Sequence, residues 1–237
     1  MLEARLLRRY KRFLADVELA DGSIVTAHCP NTGSMTGCAP EGARVWLSIS
    51  DNPKRKYRYT WELVEPAKGQ LACINTSLTN RVVEEAVISG IIPTLRNCSS
   101  LRREVPYGEE KSRIDLLLQF GDRRCYTEVK HVTLLLGDGV GAFPDAVSKR
   151  GSKHLRELMQ RVHEGERAAL VFAVMHSGIE TMNPADHIDP EYGRLLRQAV
   201  ESGVEVMAYR ITISTKELKL TEPIEVFFPP IPTMRVE

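Results

Sequence analysis

The sequence predicts a mixed α/β protein of two domains, an all-β barrel of the OB type at residues 1–68 and an α/β domain at residues 69–237. Three observations lead to this fold class. Short strand patterns separated by turn residues fill residues 10–65, which favours a small barrel. After residues 66–69, Pro-Ala-Lys-Gly, helical and strand patterns alternate, as they do in α/β domains. The unbroken apolar run AALVFAVM at 168–175 is typical of a strand covered on both faces.

Four strands are predicted in the N-terminal domain, with turn residues between them. Asp21-Gly22 stands between two alternating segments and is a strong hairpin signal. The stretch CPNTGSMTGCAPEGA has no periodicity, and its many Gly, Pro, Asn and Thr residues predict a long loop. The predicted strands are FLADVEL, SIVTAHC, RVWLSIS and RYTWELVE.

Helices and strands alternate in the predicted C-terminal domain. Residues 79–89 are expected to form a helix that Thr79 or Asn80 caps and that Gly90 ends. Apolar residues at helical spacing predict a second, amphipathic helix in KRGSKHLRELMQRV. The other predicted elements are strands at 113–120, 124–134, 168–175 and 204–213 and a helix at about 190–202.

Composition and charge restrict the class of protein. Hydrophobic residues make up 43% and charged residues 27%, which predicts a packed core and not general disorder. No apolar stretch reaches the roughly 18 residues of a membrane span, and the N-terminus lacks the features of a signal peptide. Five cysteines without a CxxC pair fit reduced thiols, so we expect a cytoplasmic protein. Because the net charge is only +1, binding of a polyanion requires a local basic patch.

Two clusters of basic residues interleave with aromatic residues in the N-terminal domain. Phosphates attract the cations and bases stack on the rings, so this combination is typical of a surface for single-stranded or distorted nucleic acid. The alternative is a solvated strand edge, where lysines discourage aggregation. Two clusters in one small domain favour nucleic-acid binding. The candidate residues are Arg8, Arg9, Lys11 and Arg12 around Tyr10 and Phe13, and Lys54, Arg55, Lys56 and Arg58 beside Tyr57.

Two carboxylates and a lysine are the candidate catalytic residues. Asp115 lies in the first strand of a predicted hairpin, and Glu128 and Lys130 share one face of the second strand. The hairpin is expected to bring all three onto one wet sheet face, where carboxylate oxygens suit Mg²⁺ or Mn²⁺. Such a metal stabilises charge on a phosphodiester and activates water, which Lys130 would help to position. The alternative is an ordinary salt bridge on an exposed sheet face.

The predicted helix at 149–162 carries a basic stripe close to this site. Its cations recur at helical spacing and can hold a phosphate backbone near the metal. A solvated helix face explains the same pattern equally well. His154 lies near the stripe; it is expected to be a surface histidine, and a contact with phosphate is the alternative. The stripe consists of Lys149, Lys153, Arg156 and Gln160, and Arg150 is a further candidate for nucleic-acid binding on the same helix.

Four stretches of the chain closely resemble one family of bacterial and archaeal proteins. RYKRFLADV, HCPNTGSMTGC, RIDLLLQFGDRRCYTEVKHVTL and FPDAVSKRGSKHLRELM are similar to segments of the sugar fermentation stimulation protein A family. The resemblance runs from about Tyr10 to about Ile213. It implies an N-terminal OB-type domain joined to a C-terminal PD-(D/E)xK domain, which is a restriction-endonuclease-like α/β fold.

By position, the resemblance places the site of that nuclease superfamily on named residues of this chain. Asp115 falls on the acidic residue, and Glu128-Val129-Lys130 falls on the (D/E)xK motif. Ile114 stands where the name-giving proline would be, and that proline is not needed for metal binding. The resemblance thus implies a metal held by Asp115, Glu128 and the Val129 carbonyl.

Sites of this kind are supported by a glutamate from the first helix of the domain. The resemblance places it most naturally on Glu85, with Glu84 as the alternative. Periodicity does not choose between the two, because both lie about equally far from the centre of the helix's apolar face.

The residues and the resemblance together predict a DNA-binding protein with a divalent-metal nuclease-type site that cleaves phosphodiester bonds. RNA is the alternative substrate, and a homodimer is compatible with the sequence. The family is described as binding DNA without marked sequence preference, with a regulatory link to sugar (maltose) metabolism. The alternative function is a non-catalytic DNA-binding regulator of such genes, because a nuclease fold can bind DNA without cutting it.

Overall fold

The computed structural model describes residues 1–110 and 112–230, and its first sheet is a closed barrel. The strands follow one another as β1 (Leu2–Tyr10), β2 (Leu14–Leu19), β3 (Ile24–His28), β4 (Arg44–Ile49), β5 (Tyr59–Ala67) and β6 (Gln70–Cys73). Their order in the sheet is β3-β2-β1-β4-β5-β6, and a parallel pairing of Ala27 with Tyr59 joins β3 to β5. Five strands thus close on themselves, and the predicted OB-type barrel is confirmed.

The first strand, β1, is an element that the sequence patterns did not predict. Ala4 and Leu6 are buried in the barrel, whereas Glu3 and Arg5, which alternate with them, are exposed. This alternation is that of a strand with one face in the core. The dense positive charge of the segment conceals the pattern, because only two of its side chains are fully buried.

The second sheet forms the α/β domain within the described residues. Its strands are β7 (Ser100–Tyr107), β8 (Ser112–Phe120), β9 (Arg123–Val132), β10 (Leu134–Gly137), β11 (Val140–Phe143), β12 (Arg167–Val174), β13 (Thr181–Pro184), β14 (Glu205–Ile213) and β15 (Leu218–Val226). Their order is β10-β11-β13-β15-β14-β12-β9-β8-β7. The helices are α1 (Thr79–Ile88), α2 (Lys149–His163) and α3 (Pro190–Glu201). The three predicted helices and the predicted β8–β9 hairpin are confirmed.

Helices cover both faces of this sheet. Ala169 and Val171 of β12 pack in the core that α1 covers, while Leu170 and Phe172 pack in the core that α2 and α3 cover. β12 runs parallel to both of its neighbours, β9 and β14. A parallel strand between two helical layers must be apolar on both sides, which is why the run at 168–175 has no alternation.

Five strands of this sheet, β7, β10, β11, β13 and β15, were not predicted. Three of them have only four residues, which is too short for a periodic signal. β7 is the edge strand and β15 lies near the end of the described chain, and both are largely exposed. Exposed strands carry charged residues on both faces and lack the alternation on which prediction depends.

The barrel and the α/β domain are joined by direct hydrogen bonds. The amide of Cys73 in β6 donates to the Met175 carbonyl at 2.9 Å, and the amide of Met35 in the long barrel loop donates to Asp145 Oδ2 at 3.0 Å. β6 follows the predicted domain boundary at 68/69 and pairs with β5. The boundary itself stays a prediction.

Two further findings concern the chain as a whole. None of the described helices is both long enough and apolar enough to cross a membrane. The five cysteines are free thiols, and four of them are buried.

Candidate functional site

Asp115 lies where the antiparallel strands β8 and β9 separate. The last residues that pair across the two strands are Leu116 and Thr127. Beyond them, the Asp115 side chain takes the place of a strand carbonyl and accepts the Val129 amide, with 2.7 Å between N and Oδ2. Its other oxygen accepts a hydrogen bond from Asn80 Nδ2 of α1 at 2.8 Å. Both oxygens of Asp115 are therefore held in place by neighbouring elements.

Glu128 is buried beneath α2, with 2% of its surface exposed. Lys130 Nζ donates to Glu128 Oε1 at 2.7 Å, and Nδ1 of His154 in α2 bonds to the same oxygen. Among the residues that the structure describes, Oε2 has no hydrogen-bond partner. A buried charged oxygen without a partner is costly unless a cation or a donor compensates it.

The prediction of one wet sheet face is wrong. Glu128 is buried, and only 12% of the Lys130 side chain is exposed. Asp115 is half-buried and contacts α1, whereas Glu128 contacts α2. The two carboxylates thus do not share an open face: Asp115 lies where the strands separate, and Glu128 lies under α2. The physical reason is that α2 packs on this face and places His154 over Glu128.

The pKa values of the two carboxylates shift in opposite directions. Burial and the nearby charge of Glu128 raise the pKa of Asp115 to about 6. Burial also acts to raise the pKa of Glu128, but Lys130 and His154 outweigh burial and hold that pKa below its ordinary value. At neutral pH Glu128 is ionised and Asp115 is mostly ionised, and neighbouring negative charges favour a bound cation.

The donor chemistry of this site fits a hard divalent cation. Asp115 and Glu128 supply carboxylate oxygens, and one of these oxygens is buried and unpartnered within the described ranges. Groups of three or more His, Cys, Asp or Glu side chains arranged to hold a metal are absent from the described part of the chain. Mg²⁺ does not require such a group, because it usually keeps several waters and binds only one or two carboxylates.

Glu84 and not Glu85 lies on the side of α1 from which Asn80 contacts Asp115. Glu84 is about 40° around the helix from Asn80, whereas Glu85 is about 140° away. Glu84 is buried and bonds to Arg103 of β7. The Glu85 side chain is 64% exposed and pairs with Arg81 at 3.6 Å. The structure therefore does not bring Glu85 to the carboxylate pair.

The basic residues of α2 lie at the surface near this site. Lys149, Arg150 and Arg156 are exposed, and Lys153 is half-buried. Arg156 pairs with the Glu110 carboxylate of the β7–β8 turn at 3.3 Å. Lys149 and Arg150 occupy the N-terminal end of the helix, where the helix dipole adds to the positive potential.

Both basic clusters of the barrel reach its connecting loops. Lys11 and Arg12 form the turn between β1 and β2, and residues 54–58 lie in the loop between β4 and β5. These are the two loops that bind oligonucleotides in OB barrels. Each loop carries an aromatic ring. Phe13 lies in the first loop and is 43% exposed, and Tyr57 lies in the second, with Lys56 Nζ 5.5 Å from the centre of its ring.

Arg8 and Arg9 of the first cluster lie in β1 and already have partners. Arg8 is exposed and forms an ion pair with Asp16 at 2.9 Å. One nitrogen of the Arg9 guanidinium donates to the carbonyl oxygens of Arg12, Asn31 and Gly33, at distances of 2.8 to 3.0 Å. Arg9 thus fastens the long barrel loop to β1, which is a structural role.

Asn80 and His154 are site residues that sequence reasoning missed. Neither Thr79 nor Asn80 is the predicted helix cap, because α1 begins at Thr79 with Leu78 as its N-cap; the Asn80 amide bonds to Asp115 instead. His154 is not a surface residue, because only 4% of it is exposed. The signal that could have located His154 is its helix face, where Gly151 and Leu158 are also buried.

An OB barrel joined to a restriction-endonuclease-like α/β domain defines the class of this protein. Two family profiles match the chain, the SfsA N-terminal OB domain at residues 7–74 and the sugar fermentation stimulation protein RE domain at residues 77–217. The chain belongs to the sugar fermentation stimulation protein family.

Relatives match the chain over most of its length. A sugar fermentation stimulation protein homolog of Thioalkalivibrio sulfidiphilus is 61% identical, covering 88% of this chain and 87% of its own. The homolog of Marinomonas sp. is 53% identical and covers 97% of this chain and 89% of its own. The solved structure of Pyrococcus furiosus SfsA in complex with Ca²⁺ superposes with a TM-score of 0.86 at 27% identity, covering 95% of both chains.

Proposed function

We propose that this protein binds DNA and cleaves its phosphodiester bonds at a site where Asp115 and Glu128 hold Mg²⁺ or Mn²⁺. The observation that carries the proposal is the buried Glu128 carboxylate, which has one oxygen bonded to Lys130 and the other without a partner in residues 1–110 and 112–230. The Pyrococcus furiosus relative, whose solved structure is a complex with Ca²⁺, supports a divalent cation in this fold. The Val129 carbonyl is the third proposed ligand.

The side chains around the carboxylates have separate tasks in this mechanism. A bound divalent cation supplies a Lewis acid that activates water and stabilises charge on the phosphate. Asn80 holds Asp115 in position through the bond to Oδ1. Lys130, whose ammonium group is fixed on Glu128 Oε1, donates to a phosphate oxygen or orients the attacking water. Glu84 is our preferred supporting glutamate because it lies on the same side of α1 as Asn80.

Nucleic acid would be held by the barrel loops and by α2. The cations of both surfaces contact phosphates, and Phe13 and Tyr57 stack on unpaired bases. The residues that we assign to this interface are Lys11, Arg12, Lys54, Arg55, Lys56, Tyr57, Arg58, Lys149, Arg150, Lys153 and Arg156, with Arg8 at its edge. The free thiols fit a protein that works in the reducing cytoplasm.

The test is to incubate the protein with plasmid DNA, single-stranded DNA and RNA, with Mg²⁺, with Mn²⁺ and with EDTA. Asp115→Ala and Lys130→Ala are compared with Asp122→Ala and Lys216→Ala, which remove the same charges from exposed turns. We expect metal-dependent cleavage of DNA that the first pair abolishes and the second pair retains.

Three outcomes contradict the proposal, and the first two identify its alternatives. Salt-dependent DNA binding without cleavage under any metal condition indicates a non-catalytic regulator. Cleavage confined to RNA changes the substrate class. Cleavage that persists in Asp115→Ala would show that the active site does not lie where β8 and β9 separate.

A further inference from the structure

His154 links an exposed arginine to the carboxylate that we propose as a metal ligand. His154 belongs to α2, and its ring is buried against β9, with 4% of the residue exposed. Nδ1 bonds to Glu128 Oε1, and Nε2 lies 3.4 Å from Nε of Arg150, one helical turn earlier. Arg150 itself is exposed at the start of the helix. The imidazole is therefore the middle member of a three-residue chain from the surface to the site.

The partners of the ring define which nitrogen carries the proton. A guanidinium group has only donors, so Nε2 must offer its lone pair to Arg150. The proton of a neutral imidazole then lies on Nδ1, and Nδ1–H donates to Glu128. Lys130 Nζ lies 3.3 Å from Nδ1 because both groups donate to the same carboxylate oxygen.

These two donors leave the carboxylate in one orientation. With Oε1 occupied by Lys130 and His154, rotation of the Glu128 carboxylate would break two hydrogen bonds. Oε2 is then the oxygen left for another ligand, and no described side chain or amide takes it. Histidines that pack in a core for their volume alone do not need this pairing at both nitrogens.

We propose that His154 is a positioning residue that holds Glu128 with Oε2 presented to the divalent cation, and that Arg150 sets the tautomer of His154. This inference rests on the proposed function, because it assigns Glu128 to the metal. It adds a link between phosphate binding at α2 and the metal site: Arg150 both faces the nucleic acid and fixes the proton on the ring that orients the metal ligand.

The test measures Mn²⁺ affinity through the electron paramagnetic resonance signal of free Mn²⁺, without nucleic acid. His154→Ala removes both contacts, whereas His154→Asn keeps an N–H donor near the position of Nδ1 and loses the acceptor for Arg150. We expect His154→Ala to weaken Mn²⁺ binding by about 10- to 100-fold, the usual effect of removing a group that orients a metal ligand. His154→Asn should recover most of the loss, and Arg150→Ala should weaken binding less than His154→Ala.

His187→Ala, at an exposed histidine outside the site, is the matched control, and circular dichroism establishes that each variant is folded. Should His154→Ala fail to fold, His154→Asn and the surface variant Arg150→Ala still test the link. Wild-type affinity in His154→Ala overturns the inference, as does equal loss in the Ala and Asn variants. Glu128→Ala separates the two proposals: if it binds Mn²⁺ like the wild type, the metal site itself is wrong.

Discussion

Asn80 of α1 donates a hydrogen bond to Asp115 of β8, with 2.8 Å between Nδ2 and Oδ1. This contact stabilises the ionised form of a carboxylate whose pKa burial and Glu128 raise to about 6. The hydrogen bond therefore keeps Asp115 charged, and available to a cation, down to a lower pH than burial and the charge of Glu128 alone would allow.

Divalent-cation binding should weaken as the pH falls through about 6, because protons then compete with the metal for the Asp115 carboxylate. Asn80→Ala removes a hydrogen bond that lowers the pKa of Asp115, so the midpoint of the pH dependence of cation binding should move to higher pH. Mn²⁺ titrations between about pH 5 and about pH 8 measure both midpoints. Asn52→Ala, in a barrel loop, is the control, and a midpoint that is the same in Asn80→Ala and wild type would contradict the prediction.

The barrel loops should govern the salt dependence of DNA binding. Replacing Lys11 and Arg12 by alanine removes two phosphate contacts, so the slope of log affinity against log salt should become shallower by about 0.7 to 0.9 per contact. The combined alanine variant of Lys54, Arg55, Lys56 and Arg58 should flatten it further. Fluorescence anisotropy with a labelled oligonucleotide gives the slopes.

The matched control for the first of these variants is Lys216→Ala with Lys219→Ala, which removes two exposed charges from the β14–β15 turn and its border. Equal slopes for this control and for the Lys11 and Arg12 variant would show that net charge, and not the barrel loop, determines binding.

Phe13→Ala should weaken binding to single strands more than to duplexes, because stacking requires an unpaired base.

Arg9 should contribute more to the stability of the fold than to DNA binding. Its guanidinium holds three loop carbonyls, and a lysine cannot reproduce that geometry. Arg9→Lys should lower the free energy of unfolding by about 2 to 4 kcal/mol. Arg8→Lys, at the neighbouring and more exposed ion pair, should change it by less than about 1 kcal/mol. Urea denaturation compares the two, and similar losses would refute the structural role of Arg9.

Glu84 and Glu85 should differ in their effect on the site. Glu84→Gln alters a buried carboxylate on the site side of α1, and we expect Mn²⁺ affinity and cleavage to fall by about tenfold. Glu85→Gln alters an exposed carboxylate whose partner is on its own helix, and its loss should be much smaller. A larger loss for Glu85→Gln would restore the assignment that the family resemblance favours.

The sequence predicted those parts of the fold that depend on neighbouring residues. Asp21-Gly22 marks a hairpin, and the spacing of Asp115 and Glu128 places them on adjacent strands. β1 was missed because Arg5, Arg8 and Arg9 conceal its alternation, although that alternation is present in the burial of Ala4 and Leu6.

The rest of the site depends on packing between elements distant in the chain. His154 is 26 residues from Glu128 and Asn80 is 35 residues from Asp115, so no local pattern relates them. The choice between Glu84 and Glu85 likewise requires knowledge of which side of α1 meets the sheet. The burial of Glu128 follows from the way α2 packs, which the alternation of β9 alone does not determine.

The hydrogen bonds from β6 to the segment after β12 couple the unfolding of the two domains. β6 is the last strand of the barrel sheet, and its outer edge bonds to Met175 and Ser177. A fragment ending near residue 74 would leave that edge open to water and to other chains. We therefore expect heat to melt both domains in a single transition, and limited proteolysis to release no stable barrel.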